Sequence, residues 1–478
     1  MTHVILGHCC KDASCVRVCP QNCIRPTPED PDFGIVEHLY IDPATCIDCS
    51  ACVQACPAGA IRADSELTDS QRLYARRTRD FFADLPGARS RVPRPLGLPQ
   101  AFQRAGGPLR VAVVGGGAAA MYTVRELLQR SSSIRITVFE QHTEVGGLLR
   151  TAVSSDHRGI RNMIRLFDVP FSDDRVETRT NIRVGLEVSI AALRREFDVV
   201  ILAFGASSPR AVGESSIPGA HQAITVLSAA NSAARQGIAA RLLRGPTALI
   251  VGGGNVALDV AAAIAKRHIA TRAGEPITQV VVVARSPVQR PSFTFSAVHE
   301  LAELDIDLSI APDGAPPDTG SADPVQRLFA ELAGNPRPRT RSRKMAVSLW
   351  FGNEVTSLRA VGGRVQLKTA GQRTFIADSV IYATGFTSAP MTGVPFTDDG
   401  VVSNRRGRVV SADTGAPIAG LYVVGWAKRG ARGGVGDNRR CAVETVERIV
   451  ADQKNIGESD SGQGPTSAYG MGHAGGQR

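Results

Sequence analysis

The run Cys46-Ile-Asp-Cys49-Ser-Ala-Cys52-Val-Gln-Ala-Cys56-Pro57 constrains this chain more than any other feature. Thiolates spaced C-x2-C-x2-C can wrap one iron–sulfur cube on a single tight loop. The fourth Cys, ahead of a proline, reaches the other cluster of a two-cluster module. A zinc ribbon uses two separated C-x2-C knuckles instead. The run therefore predicts a 4Fe–4S cluster. Upstream, Cys15-x3-Cys19-Pro20 mirrors Cys52-x3-Cys56-Pro57, so the module contains an internal repeat. By that symmetry Cys19 joins Cys46, Cys49 and Cys52, while Cys56 joins Cys15 and one of Cys9 or Cys10. Three clear thiolates suit a 3Fe–4S cluster at this second site. With both Cys9 and Cys10 bound it would be 4Fe–4S.

Nine of the ten cysteines fall between Cys9 and Cys56, and Cys441 stands alone. A small metal module is thus fused to a nearly Cys-free body. The 478 residues allow about three domains at the usual 100–200 residues each. The start, Met1 to Ile5, lacks the charged and apolar regions of a secretory signal. No apolar run is long enough to span a bilayer. The expectation is a cytoplasmic protein with no membrane partner. There, reduced thiols favour metal ligation over disulfides.

Charge is split along the chain. Residues 1–62 hold four basic and seven acidic residues, a net of −3, whereas the remainder carries +13. A basic body raises the question of nucleic acid. No RNP aromatics, finger spacing or helix-turn-helix accompany it, so no nucleic-acid partner is expected. A docking face for an acidic protein or a phosphorylated ligand fits better.

Residues 63–108 read as a Pro/Arg-rich linker, with Arg72, Arg76, Arg77 and Arg79 in a helix and Pro86, Pro93, Pro95 and Pro99 beyond it. Residues 453–478 are Ser-, Gly- and Gln-rich and are expected to be a disordered tail. Between them, β-type runs alternate with Ala-rich helical runs, the pattern of a parallel α/β sheet.

Two glycine loops specify what that sheet binds. Strand Arg110–Val114 runs into Gly115-Gly-Gly117-Ala-Ala119-Ala120. Gly115 permits the tight turn and Gly117 the close pyrophosphate approach, while Ala120 lets helix and strand pack. The next strand ends at Glu140, an acid suited to a ribose 2′-OH. The second loop, Gly252-Gly253-Gly254-Asn255-Val256, follows Thr247–Val251, and its downstream strand ends at Arg285. A guanidinium there suits a 2′-phosphate. The pair reads as FAD first and NADP(H) second.

With Gly146-Gly-Leu148-Leu-Arg150, Ser155-Asp-His157, Ala383-Thr-Gly385 and Gly425-Trp426-Ala-Lys428-Arg-Gly430, the chain resembles the adrenodoxin reductase family of ferredoxin–NADP reductases. The form it resembles is the bacterial one, fused to a seven-iron ferredoxin. The resemblance implies an α/β fold of glutathione reductase type with two Rossmann-type domains and a small N-terminal α+β ferredoxin domain. It implies a ferredoxin domain over 1–62, an FAD domain in two pieces (109–205 and 385–452) and an inserted NADP domain over 206–384. Ile201–Ala206 and Val380–Gly385 would be the crossover strands. Ala119, Glu140, Leu148 and Ile182 would line FAD. Trp426, Gly433, Gly434 and Val435 would approach its isoalloxazine and pyrimidine end. Gly253 to Val256 and Arg285 would hold NADPH, with His157 and Glu300 as the catalytic polar pair near the nicotinamide. Cys9 is favoured over Cys10 because the preceding strand has the family length, and Cys23 takes the place of a non-ligand cysteine.

The implied activity is NADPH-dependent ferredoxin reduction, with hydride transfer to FAD and one-electron steps through the clusters. The acceptor would be ferredoxin or another one-electron protein such as a cytochrome P450, and the protein a monomer. Three departures stand out: Cys9 to Cys15 leaves five residues where the family leaves seven, Ser286 replaces an arginine, and Ala297 replaces an acid. The alternatives are a glutamate-synthase-type small subunit and a non-enzymatic flavin/iron–sulfur redox sensor.

Overall fold

The computed structural model describes residues 2–84, 101–102, 107–206, 208–210, 217–236, 240–266, 269–271, 276–311, 324–334 and 345–461. Strand Leu109–Val114 is buried at five of six positions, as a central parallel strand covered on both faces requires. It pairs in parallel with Ile134–Phe139 on one side and Val199–Leu202 on the other. The sheet has seven strands. Its far half is Pro417–Val423, Arg408–Val410 and Asn404–Arg405, and Val176–Arg179 closes the opposite edge. Strands from before and after the inserted region therefore share one sheet, joined where Leu421–Val423 meets Val200–Leu202.

The second sheet is parallel with six strands, in the order Ala220–Gln222, Ser379–Tyr382, Thr247–Val251, Gln279–Val283, Ala346–Trp350, Asp307–Ala311. Val199–Leu202 closes the first sheet's share of the chain, and Ser379–Tyr382 ends the second's. The two crossings between them pair as a short antiparallel ribbon, Phe386 with Pro209 and Thr387 with Ser208. Each sheet has its own apolar core, one around Val111, Ile136 and Ile201, the other around Ile250, Val282 and Leu349.

The N-terminal module is built twice over. Helices Ser14–Val18 and Ala51–Ala55 each follow a left-handed residue, Ala13 (φ 58°) and Ser50 (φ 58°). Two residues earlier lie Lys11 (φ 54°) and Asp48 (φ 57°), also left-handed. The offset is 37 residues throughout. Alternating hands in this way turns successive backbone N–H groups inward, the concavity that suits anionic sulfur clusters. Strands His3–Ile5 and Ile61–Ala63 close the module as an antiparallel pair.

The span 63–108, read as a linker, holds the expected helix in its first part. Helix Arg72–Asp84 packs on the module, with Tyr74, Thr78 and Phe82 buried at 6%, 3% and 4% exposure. These positions are spaced i, i+4, i+8, one face of a helix. Burying each aromatic is worth about 2–3 kcal/mol, while Arg72, Arg76 and Arg79 stay exposed. The four prolines lie outside the described residues. The span 453–478, expected to be a disordered tail, begins within helix Asp437–Ser461, which continues nine residues past Asp452. Residues 462–478 lie outside the described residues. Among the described residues, no helix is long and apolar enough to cross a membrane.

Candidate functional site

The nine thiols of the module line two cavities, one slightly smaller than the other. Cys9, Cys10, Cys15 and Cys56 line the smaller one with Lys11, Asp12 and Pro57. Cys19, Cys23, Cys46, Cys49 and Cys52 line the larger one, against His3 and Ile47. Cys19 thus lies with the thiols of the second half, and Cys56 with those of the first. Among the described residues, no three His, Cys, Asp or Glu converge around a single metal ion; the donors are grouped around cavities.

Cys23 sits 3.4 Å from the Cys19 sulfur. A hydrogen bond from Cys23 holds the Cys19 thiol well below its ordinary pKa, despite burial, whereas Cys23 is pushed up. Cys441, buried in the first body core, accepts the Gly425 N–H at 3.2 Å.

The 37-residue offset pairs Cys9 with Cys46, Cys15 with Cys52 and Cys19 with Cys56. It pairs Asp12 with Cys49. The first half is therefore C-x2-D-x2-C-x3-C-P, with a carboxylate where the second half has a thiolate. Asp12 is buried, and its oxygens accept from the Ser14 N–H (2.9 Å) and hydroxyl (2.6 Å). This accounts for the unusual five-residue gap between Cys9 and Cys15.

At the first glycine loop, Gly115 (φ 102°) passes so close to Ala203 and Phe204 that a Cβ would lie 2.8 Å from their backbone. Gly117 opens onto free space, leaving the N-terminus of helix Ala118–Arg130 accessible to a pyrophosphate. Glu140 is buried, and its oxygens accept from the Gly116 N–H (2.7 Å) and the His142 N–H (2.9 Å). Lone pairs remain on both oxygens for ribose hydroxyls. Ala119 abuts Gly425, Leu148 opens helix Leu148–Thr151, and Ile182 packs beneath the sheet while its N–H reaches the Glu140 carbonyl at 3.0 Å. Trp426 donates to the Gly433 carbonyl at 3.2 Å, and the Gly434 N–H is held by Asp437 at 2.7 Å. Val435 packs with Tyr122 and Leu149.

At the second loop, Gly252 (φ 123°) and Gly253 are held against Ala383 and Ala284, and Gly254 is open. Helix Asn255–Ala265 starts there. Arg285 is exposed, and the hydroxyl of neighbouring Ser286 is buried without a partner among the described residues. Such an orphan fits a phosphate acceptor that completes it. Val256 packs against the core. The Asn255 carboxamide oxygen accepts the Thr294 N–H at 2.8 Å. Its side-chain oxygen thus ties the second loop to the neighbouring helix.

The structure brings His157 and Glu300 together, Nδ1 to Oε2 at 3.7 Å. It adds Asp259, whose carboxylate is 2.8 Å from His157 Nε2. Burial lowers the His157 pKa, but the Asp259 hydrogen bond and the charges of Asp259, Glu300 and Asp156 raise it to about 9. Burial raises Glu300, against the opposing pull of His157.

Residues 109–303 match the pyridine nucleotide-disulphide oxidoreductase family, and residues 8–60 match the 4Fe-4S dicluster domain. A Mycobacterium tuberculosis protein named "probable ferredoxin/ferredoxin–NADP reductase" is 32% identical over 485 residues, covering 95% of this chain and 84% of its own. The chain belongs to the ferredoxin/ferredoxin–NADP reductase family. NADPH-ferredoxin reductase FprA of the same organism is 30% identical, over 74% of this chain and 86% of its own. The solved structure of FprA in complex with NADPH superposes with a TM-score of 0.62 at 28% identity, covering 74% and 86% of the two chains.

Sequence reasoning passed over several residues that organise this reductase. Asp259 lies three residues past the second glycine loop, where nothing local marks it as a partner of His157. Asp12 was hidden by the gap it fills. Arg439 reaches the Asp12 carbonyl and lies 3.6 Å from its carboxylate, tying module to body. Gly436 donates its N–H to the Cys10 carbonyl at 3.0 Å. Only the fold puts those pairs together.

Proposed function

We propose that this reductase passes electrons from NADPH to ferredoxin or another one-electron acceptor such as a cytochrome P450, as a cytoplasmic monomer. Bound FAD and the two clusters would supply the exchange between two-electron and one-electron chemistry. The observation that carries the reading is the seating of the smaller cysteine cavity. Cys10 is hydrogen-bonded to Gly436, next in sequence to Gly433–Val435, whereas the larger cavity has its Cys49 exposed. On this reading the smaller cavity would face the flavin and the larger one the external acceptor.

The domain division follows the same reading: 1–62 as the ferredoxin domain, 109–205 with 385–452 for FAD, and 206–384 for NADP. Cys9, Cys15 and Cys56 would hold a 3Fe–4S cluster, with Asp12 at the fourth corner. Cys19, Cys46, Cys49 and Cys52 would hold a 4Fe–4S cluster. Gly115, Gly117, Ala119, Glu140, Leu148, Ile182, Trp426 and Gly433–Val435 would hold FAD. Gly252–Val256 and Arg285 would hold NADPH. His157, kept protonated by Asp259 and Glu300, holds a fixed positive charge where the two nucleotide domains meet.

The test is an absorption and EPR spectrum of anaerobically purified protein, with NADPH-dependent reduction of ferricyanide and of cytochrome c. Flavin bands, a 3Fe signal in the oxidised state and both activities are expected. Flavin bands with negligible NADPH-dependent ferricyanide reduction would establish the redox-sensor alternative instead.

A further inference from the structure

The iron–sulfur module is fastened to both nucleotide domains. On the FAD side it meets Gly436, Arg439 and Gly159, where a Cβ on Gly159 would lie 2.1 Å from the Ala58 carbonyl. On the NADP side, among the described residues, it meets helix Phe295–Ala302, which carries Glu300.

That second joint is dense. Glu37 of the module accepts from the Phe295 N–H at 3.2 Å and the Ser296 N–H at 2.9 Å, and from the Ser296 hydroxyl at 2.5 Å. Arg77, on the helix that follows the module, lies 3.4 Å from Glu37 and stacks on the Phe295 ring at 4.5 Å. Both side chains are nearly buried, Arg77 at 10% and Glu37 at 15% exposure. The Tyr74 hydroxyl donates to Ser296 at 3.4 Å, and a Cβ on Gly7 would fall 2.1 Å from the Ser296 hydroxyl.

A carboxylate at a helix N-terminus satisfies free N–H groups and complements the dipole. Ser296 and Glu300 are four residues apart, so they share a face of this helix. Glu37 grips one end of that face, and His157 meets Glu300 at the other. His157 in turn is bonded to Asp259 on the helix that opens at the second glycine loop.

We propose that Glu37 is a positioning residue for the NADPH site: by anchoring helix Phe295–Ala302 it sets Glu300 against His157, and so couples seating of the iron–sulfur module to NADPH binding. The coupling rests on the reductase reading above and is reciprocal, as any linkage between two binding events must be. NADP+ therefore tightens the module on the body, and a seated module tightens NADPH.

The test compares the holoprotein with Glu37→Gln, Glu37→Asp and Ser296→Ala, each checked for unchanged flavin and cluster absorption. In NADPH–ferricyanide kinetics, Glu37→Gln is expected to raise KM for NADPH by roughly 5- to 20-fold, at the lower end of typical coupling factors, with kcat changed less than about twofold. Ser296→Ala, losing one of three bonds, shifts KM in the same direction by less, and Glu37→Asp recovers part of the loss. Hydrogen exchange supplies a readout that a plain structural peg would not move. NADP+ should protect the amides of residues 34–40 in the wild type and not in Glu37→Gln. Unaltered KM in Glu37→Gln and Ser296→Ala, or equal NADP+ protection in wild type and Glu37→Gln, overturns the coupling. A wild-type holoprotein with no NADPH-dependent reduction would instead overturn the reductase reading itself.

Discussion

A single methyl group at Gly436 tests whether the seated module is the route by which electrons leave the flavin. Its φ is not left-handed, so alanine costs the backbone little. The obstacle is the module: the added Cβ would stand 2.0 Å from the Cys10 carbonyl oxygen, 2.5 Å from Lys11 C and 2.6 Å from Asp12 N. All three are backbone atoms, so no side-chain rotation relieves them. Overpacking of this kind costs about 1–3 kcal/mol. The Gly436–Cys10 hydrogen bond, 3.0 Å in the wild type, contributes about 1 kcal/mol more when it is broken. The total of about 2–4 kcal/mol lowers the ratio of seated to unseated module by roughly 30- to 1000-fold. Ferricyanide can take electrons at the flavin, whereas cytochrome c reduction reports on the clusters. Gly436→Ala should therefore keep its flavin spectrum and ferricyanide rate but lose most cytochrome c reduction. An unchanged cytochrome c rate would refute the idea that this contact carries the relay.

Three further outcomes follow from the site. Asp12→Cys completes the C-x2-C-x2-C spacing of the first half, and should abolish the 3Fe EPR signal of the oxidised protein; Cys10→Ala should leave that signal intact, and its loss would make Cys10 a ligand. The His157 pKa of about 9 lies above the ordinary 6.5, so its stabilising contribution is fully present below pH 6.5 and is lost as pH rises through 9. The stability gap between wild type and His157→Gln in urea melts, at most about 3 kcal/mol for such a shift, should shrink from pH 6 to pH 10; a constant gap would contradict the ion triad. Arg285→Ala should raise KM for NADPH about tenfold through loss of a charge-assisted phosphate contact while leaving NADH within twofold, and equal losses for both nucleotides would show that Arg285 does not read the 2′-phosphate.

The sequence by itself determined the parts whose chemistry is local. Cluster ligation needs thiolates at fixed spacing on one short loop, so Cys46 to Cys56 and their partner Cys19 were legible as letters. The glycine loops were legible for the same reason, since Gly115 and Gly252 must turn within a strand–helix junction. Glu140 and Arg285 mark strand tips at a set distance downstream. Local rules also explain the misreadings. The arginines of helix Arg72–Asp84 drew attention from the Tyr74–Thr78–Phe82 stripe, and a gap of five residues concealed Asp12 in the register of Cys49.

Only the tertiary structure decided which distant residues meet. Cys10 with Gly436, Asp12 with Arg439, His157 with Asp259 and Glu37 with helix Phe295–Ala302 are separated by about 100 to more than 400 positions. No periodicity links such pairs, because their contact depends on how two sheets and a module are oriented by the packing of whole faces. The cysteine spacing says that clusters can be held here; only the packed module shows that Cys10 is tied to Gly436 while Cys49 is exposed.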